Sequence, residues 1–325
     1  MKLNRGSLAF CVAALSLQSS ESPAQHVAAE TCDVPVVVTY FDNELVKNLT
    51  PAEISVRLGG VPVTIDGTSV DGSPKRVALI LDASRNIPKD EWKLETEMAA
   101  NFVGHARPKD QFAFLLMGAE GTADSLLTSD DLAERLRKLG GSRPPVTEEN
   151  ERIYDALLAA VNRLNPPQFG DAIFLFGHNE DFGSATTPDE VLELILRNRM
   201  RFYGMSFADP LAKLPLGSDL NKPLPKGFGP SKLDLFSAET GYFFSFHSVR
   251  SLNYPGQIPL FENFLDDLYA WIAEPYRLRI PASAIKDKTK LEITVANLET
   301  RKIHQSGIHY PRSVYSCATP VQKAP

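Results

Sequence analysis

The chain has 325 residues, 43% of them hydrophobic and 23% charged, with a formal net charge of −6. That length and apolar content suffice for one large domain, or two smaller ones, with a sizeable core. The mild acidity and the lack of any basic run exclude a nucleic-acid or anionic-membrane footprint.

Residues 1–24 read as an export leader. Lys2 and Arg5 supply the positive start, "SLAFCVAALSL" the apolar core, and "SPAQ" the small residues of a cleavage site, with the cut expected after Ala24. The apolar run is too short for a spanning helix and no basic stop follows it. No later segment is apolar enough to span a bilayer, so the expected destination is periplasmic or extracellular. Cys11 leaves with the leader, and the mature chain keeps Cys32 and Cys317. An even count in an oxidising compartment predicts a disulfide between them, with two buried thiols as the alternative. Closing so long a loop stabilises by about 4–5 kcal/mol in the chain-entropy model.

Residues 32–73 are expected to be β. "VPVVVTYF" is β-branched and aromatic, and "ISVRLGGVPVTIDG" alternates around Gly-Gly like a hairpin. From residue 74 to residue 275 the rhythm changes. "RVALILDAS", "DQFAFLLMG", "DAIFLFGH" and "RFYGMSF" are continuous apolar runs of the kind that a parallel sheet covered on both faces requires. Between them, Leu94, Met98 and Phe102 recur at helical spacing, as do Leu132, Leu136 and Leu139, and then Ile153, Leu157, Val161 and Leu164. Ser129 is the expected cap of the second helix and Gly140 its stop, and Pro188 opens the fourth. Residues 209–232, rich in Pro, Gly and Lys, form a long loop. "LDLFSAETG" reads as a short helix, "YFFSFHS" as a strand and "IPLFENFLDDLYAWIAEPY" as the last helix. Residues 276–318 return to β through "YRLRIPA", "KLEITVANL" and "TRKIHQSGIHY". Strand alternating with helix predicts an α/β fold: a Rossmann-like, doubly wound, mainly parallel sheet, inserted in a small β-sandwich made by the two terminal segments.

At this point the α/β part resembles a von Willebrand factor type A domain, and the mature chain as a whole resembles the VWFA-related family of secreted bacterial proteins. The resemblance is carried in order by "VVVTYFDNELVKNLTPAEISVRL", "VALILDASRN", "KDQFAFLLM", "RIYDALLAAV", "DAIFLFGHNEDFGS", "LFSAETGYFF" and "GIHY". It implies a metal-ion-dependent adhesion site at the carboxyl edge of the sheet, with a divalent ion held by Asp-x-Ser-x-Ser, a Thr on a second loop and an Asp on a third. Here Asp82 and Ser84 match, Asn86 replaces the second Ser, Glu151 stands at the Thr position and His178 at the Asp position. Mg²⁺ wants oxygen ligands in near-octahedral geometry. An amide oxygen at Asn86 is acceptable on that criterion, whereas the His178 nitrogen suits zinc, nickel or iron better. The site is therefore a remnant, holding either no ion or an altered one (Mg²⁺ or Ca²⁺), with Glu180 and Asp181 as substitute carboxylates. A transition metal on Asp82, Glu151 and His178 is the remaining option.

Other groups have plainer readings. The acids at 179–181 suit a solvated loop better than acid–base catalysis, His105 suits a helix end, and His247 a strand rim. No nucleophile elbow, phosphate loop or paired metal histidines occur, so no enzyme is expected. The leading expectation is a non-enzymatic exported protein that binds another protein or a surface polymer. Its contacts would be the loops around Asp82–Asn86, Glu151 and His178–Ser184, with Lys213–Lys232 as a cover. The alternative is a structural or assembly subunit of an envelope complex whose sandwich makes the contacts. An enzymatic reading would require the transition metal.

Overall fold

The computed structural model describes residues 31–84, 87–119, 125–146, 152–177, 181, 183–206, 232–241, 244–246 and 257–317. The chain opens with strands β1 (Thr31–Tyr40), β2 (Ile54–Leu58), β3 (Val61–Val63) and β4 (Gly67–Val70). Strand then alternates with helix: β5 (Arg76–Asp82), α1 (Lys89–Gly104), β6 (Gln111–Met117), β7 (Leu127–Thr128), α2 (Ser129–Gly141), α3 (Ile153–Arg163) and β8 (Ala172–Gly177). The same rhythm continues through α4 (Pro188–Arg197), β9 (Arg201–Ser206), α5 (Lys232–Thr240), β10 (Phe244–Phe246) and α6 (Gln257–Ala273). Four strands close the described chain: β11 (Tyr276–Pro281), β12 (Thr289–Val295), β13 (Ile303–His309) and β14 (Ser313–Val314).

The terminal strands interleave in two antiparallel sheets, ordered β13-β1-β11-β4 and β14-β12-β2-β3. Each mixes the two ends of the chain, as the expected sandwich requires. The pleat explains the pairing of the sheets. β2 and β12 alternate buried with exposed, and their buried Val56, Leu58, Leu291 and Ile293 pack with Val34, Val36, Leu278 and Ile280 of the other sheet. Cys32 and Cys317 are disulfide-bonded, with Cα atoms 5.7 Å apart.

The middle of the chain forms one sheet of order β10-β9-β8-β5-β6-β7, parallel except for β7. Every residue of β5, β8 and β9 is buried, which is why these strands read as unbroken apolar runs. Alternate residues serve opposite faces. Val77, Leu79, Leu81, Phe174 and Phe176 join α1, α2 and α6, whereas Ala78, Ile80, Ile173 and Leu175 join α3, α4 and α5. The cap of α2 lies one residue earlier than the sequence suggests. Thr128, not Ser129, is the N-cap, and its Oγ1 accepts from the Asp131 N–H at 3.2 Å. By residue type Ser129 is the slightly better cap, but Thr128 pairs with Gln111 at the end of β7, so the helix starts directly after it. The two-residue strands β7 and β14 lack any sequence signal at that length.

Buried charge gathers at the amino edge of this sheet, facing the sandwich. Arg76 pairs with Asp171 through Nε at 3.0 Å and donates to the Leu164 and Pro166 carbonyls at 2.7 Å each. Asp110 accepts from the Lys75 N–H and the Tyr269 hydroxyl, both at 2.7 Å. Burial alone would raise the Asp110 carboxyl, but Arg107 and these donors hold it below the usual range. Lys75 pairs with Asp71, which also receives Arg277 of β11. Arg201 is fully buried and donates to the carbonyls of Trp271 (2.9 Å) and Ile272 (2.8 Å), closing the end of α6 just before the chain re-enters the sandwich. Most of these contacts lie within the α/β layer, and the Asp71 pairs with Lys75 and Arg277 tie its entry to the base.

Candidate functional site

The carboxyl edge is shaped by where the winding of the sheet changes direction. The chain leaves β5 for β6 on one side, then crosses back to β8 on the other. The crevice between β5 and β8 is thus the switch point, where ligands of open α/β sheets bind. Asp82 ends β5 at this crevice, and Ser84 follows; both are fully buried. The Asp82 Oδ1 accepts from the Ser84 N–H at 2.9 Å, a turn that holds the carboxylate against the start of the loop.

Two glycines make room for this tip. Gly118 follows β6 with φ +79°, and a Cβ there would lie 2.9 Å from the Ser84 Cα. Gly177 ends β8 with φ +151°, and a Cβ there would overlap the Asp82 Cβ. Both positions combine a backbone conformation that L side chains avoid with a close approach that only glycine permits. They stand in plain view in the sequence as the last residues of "LLMG" and "FLFG", yet spacing alone does not announce their role.

Of the predicted site residues, the structure places Asp82 and Ser84 side by side at the tip. Asn86, Glu151 and His178 lie outside the described residues, as do Glu180, His247 and the loop from Lys213 as far as Ser231. Asp181 is described, and it has another task. Its Oδ1 accepts from the Ser184 hydroxyl at 2.5 Å, and its Oδ2 from the Ser184 N–H at 3.3 Å. Ser184 in turn caps α3: its Oγ accepts from the N–H groups of Tyr154 (3.1 Å) and Asp155 (3.3 Å). The Asp155 carboxylate answers by accepting from the Thr186 N–H (2.9 Å) and the Ala185 N–H (3.1 Å). Burial works to raise that carboxyl, but the two backbone donors keep it below its ordinary range. Burial, helped by Asp181, pushes the Tyr154 hydroxyl up to about 12. From the sequence, Ser184 is expected only as the end of a contact loop, and Asp155 has no assigned part. His105 is at the end of α1, as expected. Its ring lies 3.2 Å from the Asn101 Oδ1 and 3.2 Å from an Asp266 carboxylate oxygen.

The donor chemistry bears on a bound ion. A carboxylate and a hydroxyl at Asp82 and Ser84 are oxygen ligands of the kind hard cations take. The remaining positions of the resembled motif are an amide and a longer carboxylate, both oxygen donors, and an imidazole, whose nitrogen suits zinc, nickel or iron better than Mg²⁺. Among the described residues, no three His, Cys, Asp or Glu side chains converge as a metal site. Nor does any helix of the described chain have the length and apolarity to cross a membrane.

No family model and no curated protein sequence matches the chain. Among solved structures it is similar to the conserved hypothetical protein BatB from Bacteroides thetaiotaomicron, at 12% identity and TM-score 0.44, over 60% of this chain and 98% of that one. It is also similar to a von Willebrand factor type A protein from Catenulispora acidiphila, at 9% identity and TM-score 0.46, over 90% and 76% of the two chains. A third is proximal thread matrix protein 1 from the mussel byssus, with a zinc-occupied MIDAS motif, at 15% identity and TM-score 0.44, over 66% of this chain. The chain spans about half the length of that mussel protein (49%). At such identities and scores, none of these likenesses transfers a residue role to this chain.

Proposed function

We propose that this chain is a non-enzymatic binding protein of the extracytoplasmic space. It engages a protein or a surface polymer through the loops that leave β5, β6 and β8. The observation that carries this reading is the switch-point tip: Asp82 and Ser84 end β5 at the crevice where the topology directs ligands, with Gly118 and Gly177 packed closely against them. The leader-like first residues and the Cys32–Cys317 disulfide support an oxidising compartment. The sequence resemblance to the VWFA-related family agrees with binding rather than catalysis. Because an imidazole at position 178 is a poor ligand for Mg²⁺, we read the contact as one made by the loops themselves, without that ion.

The test pairs site-specific photocrosslinking with elemental analysis. A photoreactive residue is placed at Ala119 or Ala185 on the loop side, and at Phe41 or Val61 on exposed sandwich positions. Crosslinks to one envelope component from the loop positions alone, on protein free of stoichiometric metal, support the reading. Crosslinks from the sandwich positions alone would replace it with an assembly subunit. One equivalent of Mg²⁺ or Ca²⁺ whose chelation abolishes crosslinking would overturn the metal-independent part.

A further inference from the structure

We propose that Asp155, Asp181 and Ser184 fuse the start of α3 and the segment before α4 into one mechanical unit. On the binding reading above, two of the loop supports of that face would then shift together rather than singly. The basis is the reciprocity of the contacts. Helix α3 brings no cap of its own, since Arg152 at its N-cap position makes no side-chain cap bond. Its N–H groups at Tyr154 and Asp155 instead find the hydroxyl of Ser184, 30 and 29 residues further on, and the Tyr154 N–H also reaches the Asp181 Oδ1 at 3.4 Å. In exchange, the Asp155 carboxylate holds the N–H groups of Ala185 and Thr186.

Asp181 locks the exchange by orienting the hydroxyl. The Ser184 proton goes to the Asp181 Oδ1, so both lone pairs of the Ser184 oxygen are turned to the helix N–H groups. A carboxylate acceptor at each end makes these bonds charge-assisted. The contrast with α4 is instructive. There, Thr187 and Glu190 form a capping box inside a single segment, so opening it need disturb nothing else. At α3 the cap is supplied by a segment about 30 residues further on, and neither segment can open without leaving donors of the other unpaired.

The test is hydrogen–deuterium exchange on the full chain, read in peptides covering residues 152–158 and 183–190. It requires no partner, so its failure is distinct from failure of the binding reading. Ser184→Ala is expected to raise exchange at Asp155 about tenfold, the loss of one net hydrogen bond, and through the coupling also at Ala185 and Thr186, whose own acceptor Asp155 it leaves in place. Asp155→Asn is expected to raise exchange at Ala185 and Thr186, with the protection of β5 and β8 unchanged in both. Ser184→Thr, which keeps the hydroxyl, restores the first effect. In the double variant, exchange equals that of the more affected single variant. Changes confined to the N–H groups whose own acceptor was removed, or effects that multiply in the double variant, would show two independent caps and overturn the proposal. Should Ser184→Ala unfold the chain, Asp181→Asn reads the same coupling at Ala185 and Thr186, whose acceptor is Asp155 and not Asp181, and unaltered exchange there would overturn it equally.

Discussion

Gly177→Ala tests the tip of β5 most directly. Residue 177 has φ +151°, and the added methyl would overlap the Cβ of the fully buried Asp82. The backbone conformation costs a non-glycine residue about 1–3 kcal/mol. Forcing a methyl into a closed site costs about 1–3 kcal/mol more. The expected loss is therefore about 4 kcal/mol, close to three decades in the folding constant. Against a total stability of about 5–15 kcal/mol, this is a large fraction. Urea unfolding followed by tryptophan fluorescence is a suitable assay, because Trp92 and Trp271 both belong to the core of the α/β layer. With a slope near 3 kcal/mol/M, the midpoint should fall by about 1 M or more. Gly104→Ala is the control. It ends α1, a Cβ there meets nothing within 4 Å, and it should be neutral or stabilising by about 0.5 kcal/mol. A Gly177→Ala midpoint within experimental error of wild type would refute the claim that glycine is required beside Asp82.

Three further outcomes are expected. Cys32→Ser, which opens a loop of 285 residues, should lower stability by about 5 kcal/mol in the chain-entropy model, and thermal melts of wild type with reductant should reproduce the drop. Arg201→Met keeps the aliphatic stem but strips the carbonyls of Gly170, Trp271 and Ile272 of their donor, and should cost about 3 kcal/mol or more in urea unfolding. An unchanged midpoint would show that those carbonyls find other partners. Burial pushes the His309 imidazole down to about 4 from an unfolded value near 6.5. Its neutral form is the one the fold prefers, so its contribution is complete above 6.5 and is lost as pH falls toward 4. An NMR titration of the ring should show this low value, and His309→Gln should flatten the stability profile across that interval.

Much of the fold was legible because the physics that made it is local. β5 and β8 read as buried parallel strands since every residue in each is covered, and an unbroken apolar run is how that condition is written. The helices were visible from stripes such as Ile153, Leu157, Val161 and Leu164, all buried in the structure. The pairing of the terminal segments followed from β at both ends and one cysteine in each. The site was legible only at Asp82 and Ser84, where a polar pair ends an apolar run. Asp155 was hidden because it looks like any exposed acid in the first turn of a helix. Its partners are backbone groups 30 residues away, and no side-chain pattern marks them. Gly118 and Gly177 were present as letters, but their meaning depends on which strands become neighbours. The buried Lys75, Asp110 and Arg201 would ordinarily be read as surface charges. Burial became tolerable only because the sandwich and the layer above it supply matching partners.

The entry and exit of the α/β layer have a mechanical consequence. Residues Val70 and Tyr276 pair across β4 and β11, and the Asp71 N–H donates to the Pro275 carbonyl at 2.8 Å. The two ends of the inserted layer therefore emerge at almost one point, while Cys32 and Cys317 are stapled together in the base. Tension applied at those two cysteines would run through the sulfur bridge and bypass the inserted layer entirely. A shear load would be taken up by the base, and the layer that presents the loops would ride above it unstretched, as a tool-head sits on a rigid handle.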